Sequence, residues 1–335
     1  MRGRAVVFEE PYGVAVQDRS VPAPEAGDLL VETRASAVSP GTERLIYRGE
    51  APRDAPADET LPALDGELTY PLTYGYAAVG DVTAVGDGVD EAWLDRTVFA
   101  FNPHESHFTA RPADVQCVPD DVTVAEATLL PNVETAVNLT LDAAPRIGER
   151  VVLFGAGLIG LLTTGLLSAF PLASLVVVDP LADRRELALA FGADEAVDPD
   201  DVDAALPADA DGADLVVEVS GDPRALDSAV ATAGYDGRVL VGSWYGTKRT
   251  EIDLGTHFHR DRISVESSQV STLAPSRRGR WSTDRRLDVA WEHLREMPLD
   301  RLDLAEYGVG EAPQAYERLD RADPGAVGIL FRYGP

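Results

Sequence analysis

Cysteine is almost missing from this chain: its 335 residues carry one, Cys117. A single thiol excludes a disulfide scaffold and any cysteine-cluster metal site. Lysine is as scarce, with Lys248 the sole example, so arginine supplies nearly all the positive charge. Positive charge is itself short: 29 Lys+Arg stand against 57 Asp+Glu, a formal charge of -28. A surface of that sign repels phosphates, which argues against non-specific nucleic-acid and anionic-membrane binding. Long apolar runs are missing too. The longest, from Leu158 to Leu172, is broken by Gly160, Gly165 and Pro171, and falls short of the roughly 20 residues that span a bilayer. Met1-Arg2-Gly3-Arg4 leads into an apolar run of strand length, not a signal segment. The expectation is a cytoplasmic protein with no membrane partner.

What is present is a folded chain, with 45% hydrophobic residues spread along it and a length that suggests roughly two domains. The acidity reads as adaptation to a cytoplasm with molar salt, where carboxylates hold water and ions while screening suppresses their repulsion. The competing reading, an acidic partner-binding surface, has no acidic tail to support it.

Residues 1–125 read as β-rich. Short runs such as Ala5-Val6-Val7-Phe8 and Leu29-Leu30-Val31 are separated by Pro, Gly and Asp clusters. The spacing turns helical from Val122 to Ala143, with Thr123 and Glu126 forming a capping box. Between 150 and about 272, apolar strands alternate with helices, the pattern of parallel β-α-β units. A helix over Asp284–Met297 and a closing segment, Ala305–Tyr333, complete the chain. The fold class is therefore α/β, with a doubly wound parallel sheet over 126–272 and a second part from 1–125 and 273–335.

The sharpest motif follows the strand Val151–Phe154: Gly155-Ala156-Gly157-Leu158-Ile159-Gly160, then an apolar helix. Strand before and helix after is the context that makes G-x-G-x-x-G a dinucleotide fingerprint. The first glycine allows the tight turn, the second lets a pyrophosphate approach, and the third packs helix on strand. The free N–H groups of that helix start offer an anion site. The next strand ends in Asp179, placed to grip a ribose 2′-hydroxyl and to repel a 2′-phosphate, which favours NAD; Arg184 and Arg185 nearby keep NADP open. Ser220, just past the strand Leu215–Val219, joins this cofactor set. A Rossmann-like domain with a vestigial site is the alternative.

At this point the chain resembles, over essentially its whole length, the medium-chain dehydrogenase/reductase superfamily of zinc alcohol dehydrogenases. Its texture is similar to the branch containing bacteriochlorophyllide dehydrogenase. The resemblance rests on Gly41-Thr42-Glu43, Gly75-Tyr76, Glu134-Thr135-Ala136, Gly148-Glu149-Arg150 and Gly192-Ala193-Asp194. It implies a GroES-like β-barrel catalytic domain beside the Rossmann domain. It also implies that Thr135 contacts the nicotinamide carboxamide and that Thr42 supplies a proton-relaying hydroxyl. Zinc needs thiolate, imidazole or carboxylate ligands. Pro40, Tyr76 and Pro131 stand where the family has its zinc ligands, and Ala77 replaces the glutamate after the histidine. The expectation is no metal.

Without zinc, the developing alkoxide needs another donor. Tyr76, at the position of the missing histidine, is the candidate; the bland reading is a barrel aromatic bonded to a backbone group. Glu43 and His107 are candidate proton acceptors. The bland reading of Glu43 is a buried carboxylate paired with an arginine such as Arg44. His104-Glu105-Ser106-His107 reads as a loop entering a strand, so its histidines are expected at the surface rather than on a metal. His257 and His259, in an extended-looking segment, read the same way.

Substrate residues are sought in two places. Trp244 and Tyr245 follow a strand at the ligand-facing edge of the sheet. Arg277, Arg280 and Trp281 belong to an arginine cluster that suits an anionic small molecule. The competing reading of the cluster is ion pairing within the protein or across a subunit interface. The expected activity is NAD(P)-dependent hydride transfer between nicotinamide and a secondary alcohol or ketone. The alternatives are a quinone or enone reductase and a non-catalytic redox sensor. A homodimer through the edge strand Ile263–Glu266 follows from the resemblance.

Overall fold

A computed structural model describes residues 2–334 except Pro22, Glu59, Asp65, 208–209 and 322–325. The chain divides into two compact units, 1–131 with 303–335, and 132–302.

The first unit opens with the antiparallel pair β1 (Arg2–Glu10) and β2 (Gly13–Ser20). Then come β3 (Leu29–Val38), helix α1 (Pro40–Arg48), β4 (Ala78–Val85), β5 (Thr97–Ala100), β6 (His107–Ala110), β7 (Val115–Cys117) and the short helix α2 (Val124–Ala127). The long strand β3 pairs β4 on one side. Its first half also pairs β6, through Leu29–Glu32. Such shared pairing curls the sheet. Gly80 marks where β4 crosses closest, since a β-carbon there would stand 2.3 Å from the Glu32 carbonyl oxygen. The expected capping box is present: Thr123 and Glu126 bond each other's backbone N–H.

Helix α3 (Leu130–Ala143) leads into the second unit. That unit alternates β8 (Arg150–Phe154), α4 (Leu158–Leu167), β9 (Ser174–Val178), α5 (Ala182–Ala190), β10 (Glu195–Val197), α6 (Val202–Ala205), β11 (Ala213–Glu218), α7 (Arg224–Thr232), β12 (Ala233–Val241), α8 (His257–Arg260) and β13 (Ser264–Ser267). All six strands are parallel, in the order β10-β9-β8-β11-β12-β13. This is the doubly wound order, with the switch between β8 and β11. The strands are near-continuous apolar runs, buried throughout in β8, β9 and β11 at Val151–Phe154, Leu175–Val178 and Leu215–Val217, as parallel sheets covered on both faces require.

Helix α9 (Thr283–Glu296) closes the second unit. The chain then returns to the first through β14 (Leu304–Gly308), α10 (Ala312–Asp320) and β15 (Gly328–Arg332). Strand β15 pairs antiparallel with the second half of β3 and parallel with β14. Its Phe331 packs with Phe8, Leu45, Ile46 and Tyr316 in the first unit's core.

Three expectations shift. Residues 40–48 lie in the β-rich part yet form a helix: Pro40 starts it, Leu45 and Ile46 are buried, and Gly49 in the left-handed region (φ 69°) ends it. His257 and His259 lie on the short helix α8, where His257 pairs with Asp261 four residues on and bonds the Ala233 carbonyl at 2.6 Å. Residues 273–302, expected with the barrel part, fold with the second unit. Arg286 (2% exposed) bonds Glu134 at 3.0 and 2.8 Å, Asn138 at 2.7 Å and the Val270 carbonyl at 2.7 Å. A buried charge so fully paired ties α9 to α3.

Candidate functional sites

In the second unit, β8 delivers the chain into Gly155, whose φ of 103° only glycine adopts without strain. A β-carbon on Gly155 would stand 2.6 Å from Ser220 Cα, and one on Gly160 only 1.8 Å from the Gly155 carbonyl oxygen. Around Gly157 the added atom would meet nothing within 4 Å. The outer glycines thus serve close packing, and the middle one leaves open approach at the start of α4, where backbone donors face an incoming anion. Ala156 and Leu158 are buried, and Ile159 is half-buried. These residues fit a dinucleotide pyrophosphate.

Asp179 directly follows β9 and is largely buried. Its carboxylate accepts the Ala156 N–H at 2.8 Å and the Leu181 N–H at 2.9 Å. It braces the glycine turn besides standing where a ribose hydroxyl is expected. Arg185 donates to the Asp179 carbonyl at 2.7 Å and to Asp198 at 3.3 Å, which commits it to the protein's own acceptors. Arg184, beside it on α5, and Thr135 on α3 are half-buried. Ser220 donates both its N–H (2.7 Å) and its hydroxyl to the fully buried Glu218. Tyr245 donates its phenol to the same carboxylate, while Trp244 is 43% exposed. Burial and the charge of Glu218 push the Tyr245 phenol well up from its usual range.

Most of the arginine cluster donates within the protein. Arg277 donates to the Leu141 carbonyl, Arg278 to that of Leu273 at 3.0 Å, and Arg285 to that of Arg280 at 2.6 Å. Arg285 also lies over the Trp281 ring at 4.4 Å, and Arg280 is exposed. Internal bonds therefore engage Arg277, Arg278 and Arg285, to carbonyls rather than to acids, while the Arg280 side chain faces solvent.

The first unit gathers a different constellation. Glu43 and His104 are both 0% exposed. His104 Nε2 meets Glu43 Oε2 at 3.0 Å, and its Nδ1 meets Ser36 Oγ at 2.7 Å. Ser36 Oγ lies 2.9 Å from the Tyr333 hydroxyl. Tyr316, also buried, donates to Glu43 Oε2, and the Ser39 N–H donates to Oε1 at 2.7 Å. Burial, with the Glu43 charge, raises the Tyr316 phenol far above its usual range. The expected surface position of His104 is therefore corrected. Gly75 (φ 116°) makes the room, because a β-carbon there would reach within 2.7 Å of His104 Nε2. The partners of Glu43 are His104, Tyr316 and Ser39 rather than Arg44.

Tyr76 does not bond a backbone group. Its hydroxyl donates to Ser39 Oγ, and the Thr42 hydroxyl lies near enough to act on its titration. Ser39 occupies the N-cap of α1 without using its side chain as a cap, so its Oγ is given to Tyr76. Burial raises the Tyr76 phenol, and the bonds to Ser39 and Thr42 oppose that shift. At neutral pH the group is a hydrogen-bond donor, not a base. His107 stands apart: Nδ1 meets Ser106 Oγ at 3.0 Å, and Nε2 is buried without a partner among the described residues.

A zinc ion does not fit these donors. Pro40 begins α1, Tyr76 faces Ser39, and Ala77 carries no ligand atom. The nearby ligand-capable pair, Glu43 and His104, spends itself internally. No group of three or more His, Cys, Asp or Glu suited to a metal occurs among the described residues.

Ser36, Ser39, His104, Tyr316, Tyr333 and Glu218 were not foreseen as site residues. Only Glu218 left a signal, as a lone acid inside the apolar run Leu215–Val219.

Fold and sites together describe an α/β unit whose glycine turn suits a dinucleotide, and a curled β-sheet unit. A family model, zinc-binding dehydrogenase, matches residues 159–287. D-guloside 3-dehydrogenase of Escherichia coli K12 is 24% identical over 325 residues, covering 90% of this chain and 91% of that protein. RspB of Escherichia coli CFT073, a short chain alcohol dehydrogenase complexed with cofactor NADH, matches with a TM-score of 0.76 at 18% identity, over 99% of each chain. A zinc-binding dehydrogenase from Sinorhizobium meliloti bound to NADP matches with a TM-score of 0.78 at 20% identity, again over 99% of each. Over residues 159–287 the chain is thus similar to the zinc-binding dehydrogenases, and its whole fold, a Rossmann unit and a GroES-like unit, is the one those structures share.

Proposed function

We propose that this protein is a zinc-independent dehydrogenase that transfers a hydride between nicotinamide C4 and a secondary alcohol or ketone, with NAD favoured over NADP. The observation that carries the metal-free reading is Tyr76, a phenol tied to Ser39 and Thr42 where a metal ligand is expected. The bound nicotinamide supplies the hydride acceptor. With substrate bound, the Tyr76 hydroxyl turns its one proton from Ser39 Oγ to the substrate oxygen and stabilises the developing charge there. Thr42 and Ser39 orient that hydroxyl, and Glu43, locked by His104 and Tyr316, holds the Ser39 backbone. His107 lies outside the bonds that hold Tyr76, so in this scheme the alcohol proton passes to solvent rather than to it. Asp179 favours NAD, and the commitment of Arg185 to Asp179 and Asp198 weakens the NADP alternative. A sugar-like alcohol is the first substrate class to test, given the guloside 3-dehydrogenase among the relatives.

We assign the excess of acids to a salt-rich cytoplasm and expect stability to fall as salt is removed. Among the described residues no helix is long and apolar enough to cross a membrane. Strand β13 lies at the sheet edge with all its residues exposed, which supports a homodimer through that edge.

The test follows NADH absorbance against a panel of alcohols, ketones, enones and quinones in molar salt. Tyr76→Phe should cut turnover about a hundredfold or more, as loss of one oxyanion donor does, with NADH affinity unchanged. Full turnover in the variant, or stoichiometric zinc by elemental analysis, overturns the reading. Turnover confined to enones or quinones selects the reductase alternative. Binding without turnover selects the sensor.

A further inference from the structure

Glu218 ends β11 at 0% exposure, and among the described residues no cation is one of its hydrogen-bond partners. Its Oε1 accepts the Ser220 N–H at 2.7 Å and the Ser220 hydroxyl, and its Oε2 accepts the Tyr245 phenol. Donors on both oxygens are the pattern of an ionised carboxylate held by neutral dipoles. A buried anion without a counter-ion is costly, and such groups concentrate at functional sites.

The place of Glu218 says what it acts on. Strands β8 and β11 flank the switch point of the sheet, and a β-carbon on Gly155 would come within 2.6 Å of Ser220 Cα. The turn that Glu218 holds therefore lies directly against the glycine loop. Asp179, at the end of β9, marks the adenosine half, so the other mononucleotide half lies over the ends of β11 and β12. Those two ends are cross-linked around Glu218. Ser243 Oγ accepts the Gly221 N–H at 2.9 Å, Tyr245 reaches back to Glu218, and Lys248 Nζ donates to the Gly221 carbonyl at 2.8 Å. The nicotinamide ring is a cation when oxidised and neutral when reduced, so an anion in this position interacts differently with the two forms.

We propose that Glu218 is a specificity residue for the redox state of the cofactor: its charge favours the oxidised nicotinamide over the reduced one, and Lys248 on the same turn opposes it. The proposal rests on the reading that this unit binds a nicotinamide dinucleotide. By linkage, whatever tightens the oxidised form relative to the reduced one lowers the bound cofactor's reduction potential.

The test measures dissociation constants of NAD and NADH for the full chain in molar potassium chloride, NADH by its own fluorescence and NAD by competition. The readout is the ratio Kd(NADH)/Kd(NAD). Glu218→Gln keeps the shape and removes the charge; the ratio should fall about three- to tenfold, and a tenfold fall is about 30 mV in a two-electron potential. Lys248→Gln should raise the ratio. A purely structural Glu218 would weaken both forms together and leave the ratio alone. A ratio within twofold of wild type in both folded variants overturns the proposal. If Glu218→Gln fails to fold by circular dichroism, an unchanged ratio in Lys248→Gln overturns it. Wild-type protein that binds neither form refutes the dehydrogenase reading instead, a result distinct from either of these.

Discussion

Glu43 and Glu218 are both completely buried, and the chain holds them by opposite means. Glu218 is served by Ser220 and Tyr245, partners 2 and 27 residues away. Glu43 takes one local N–H, from Ser39, and otherwise depends on His104 and Tyr316, 61 and 273 residues away. The Rossmann unit builds its site from strand ends that the parallel sheet aligns anyway. The β-rich unit builds its own by bringing β3, α1, the loop before β6, α10 and the C-terminal segment to one point. A local device can be changed piecemeal, whereas a remote one carries the packing of its whole unit.

The sharpest way to break that contrast is Glu43→Ala. It strands His104, Tyr316 and the Ser39 N–H in a site without water access, and should cost about 3–5 kcal/mol of stability. Urea unfolding measures it, and a loss below about 1 kcal/mol would show that the β-rich unit is not organised around this group. Next comes Gly160→Ala, whose β-carbon meets the Gly155 carbonyl oxygen at 1.8 Å. Displacing that backbone should weaken NADH binding more than about tenfold, or 1.4 kcal/mol. Unchanged affinity in a fluorescence titration would mean that the loop does not hold the nucleotide. The smallest effect is expected at Asp222, whose carboxyl is held below the usual range chiefly by its hydrogen bond to Arg224. A depressed folded pKa stabilises above the unfolded value, near 4, and that stability is lost as pH falls through the folded one. Because the pair is exposed and screened, Asp222→Asn should cost less than about 1 kcal/mol near neutrality, and nothing at about pH 2. A difference that persists in acid would assign the loss to something other than this charge.

Legibility followed the same division. The glycine loop, Asp179 and the alternation of strands and helices could be read directly, because each works through backbone geometry within a short stretch. The burial of Glu43 could be read as well, but its partner could not. Arg44 is its neighbour in sequence, yet a helix turns successive side chains to different faces. His104 was misjudged because a loop entering a strand says nothing about a cavity that Gly75 opens in another segment. The arginines at 277–286 looked like an anion site. Nothing in their spacing reveals that the carbonyls of Leu141, Leu273 and Arg280 would claim them, or that Arg286 would pair with Glu134 across 152 residues.

By itself, then, the sequence determined the parallel sheet, the anion-ready start of α4 and the side chains at Pro40, Tyr76 and Ala77, none of them a thiolate, imidazole or carboxylate. Those properties depend on periodicity, on glycine's freedom and on the chemistry of single side chains. Only the tertiary structure decided what surrounds Tyr76. Its phenol donates to Ser39, whose side chain is not used as a cap, and Ser39 is held because Glu43, His104 and Tyr316 meet in a core where each buried polar group must find another. That pairing is imposed by desolvation, which acts on groups brought together in space and leaves no mark on their order along the chain.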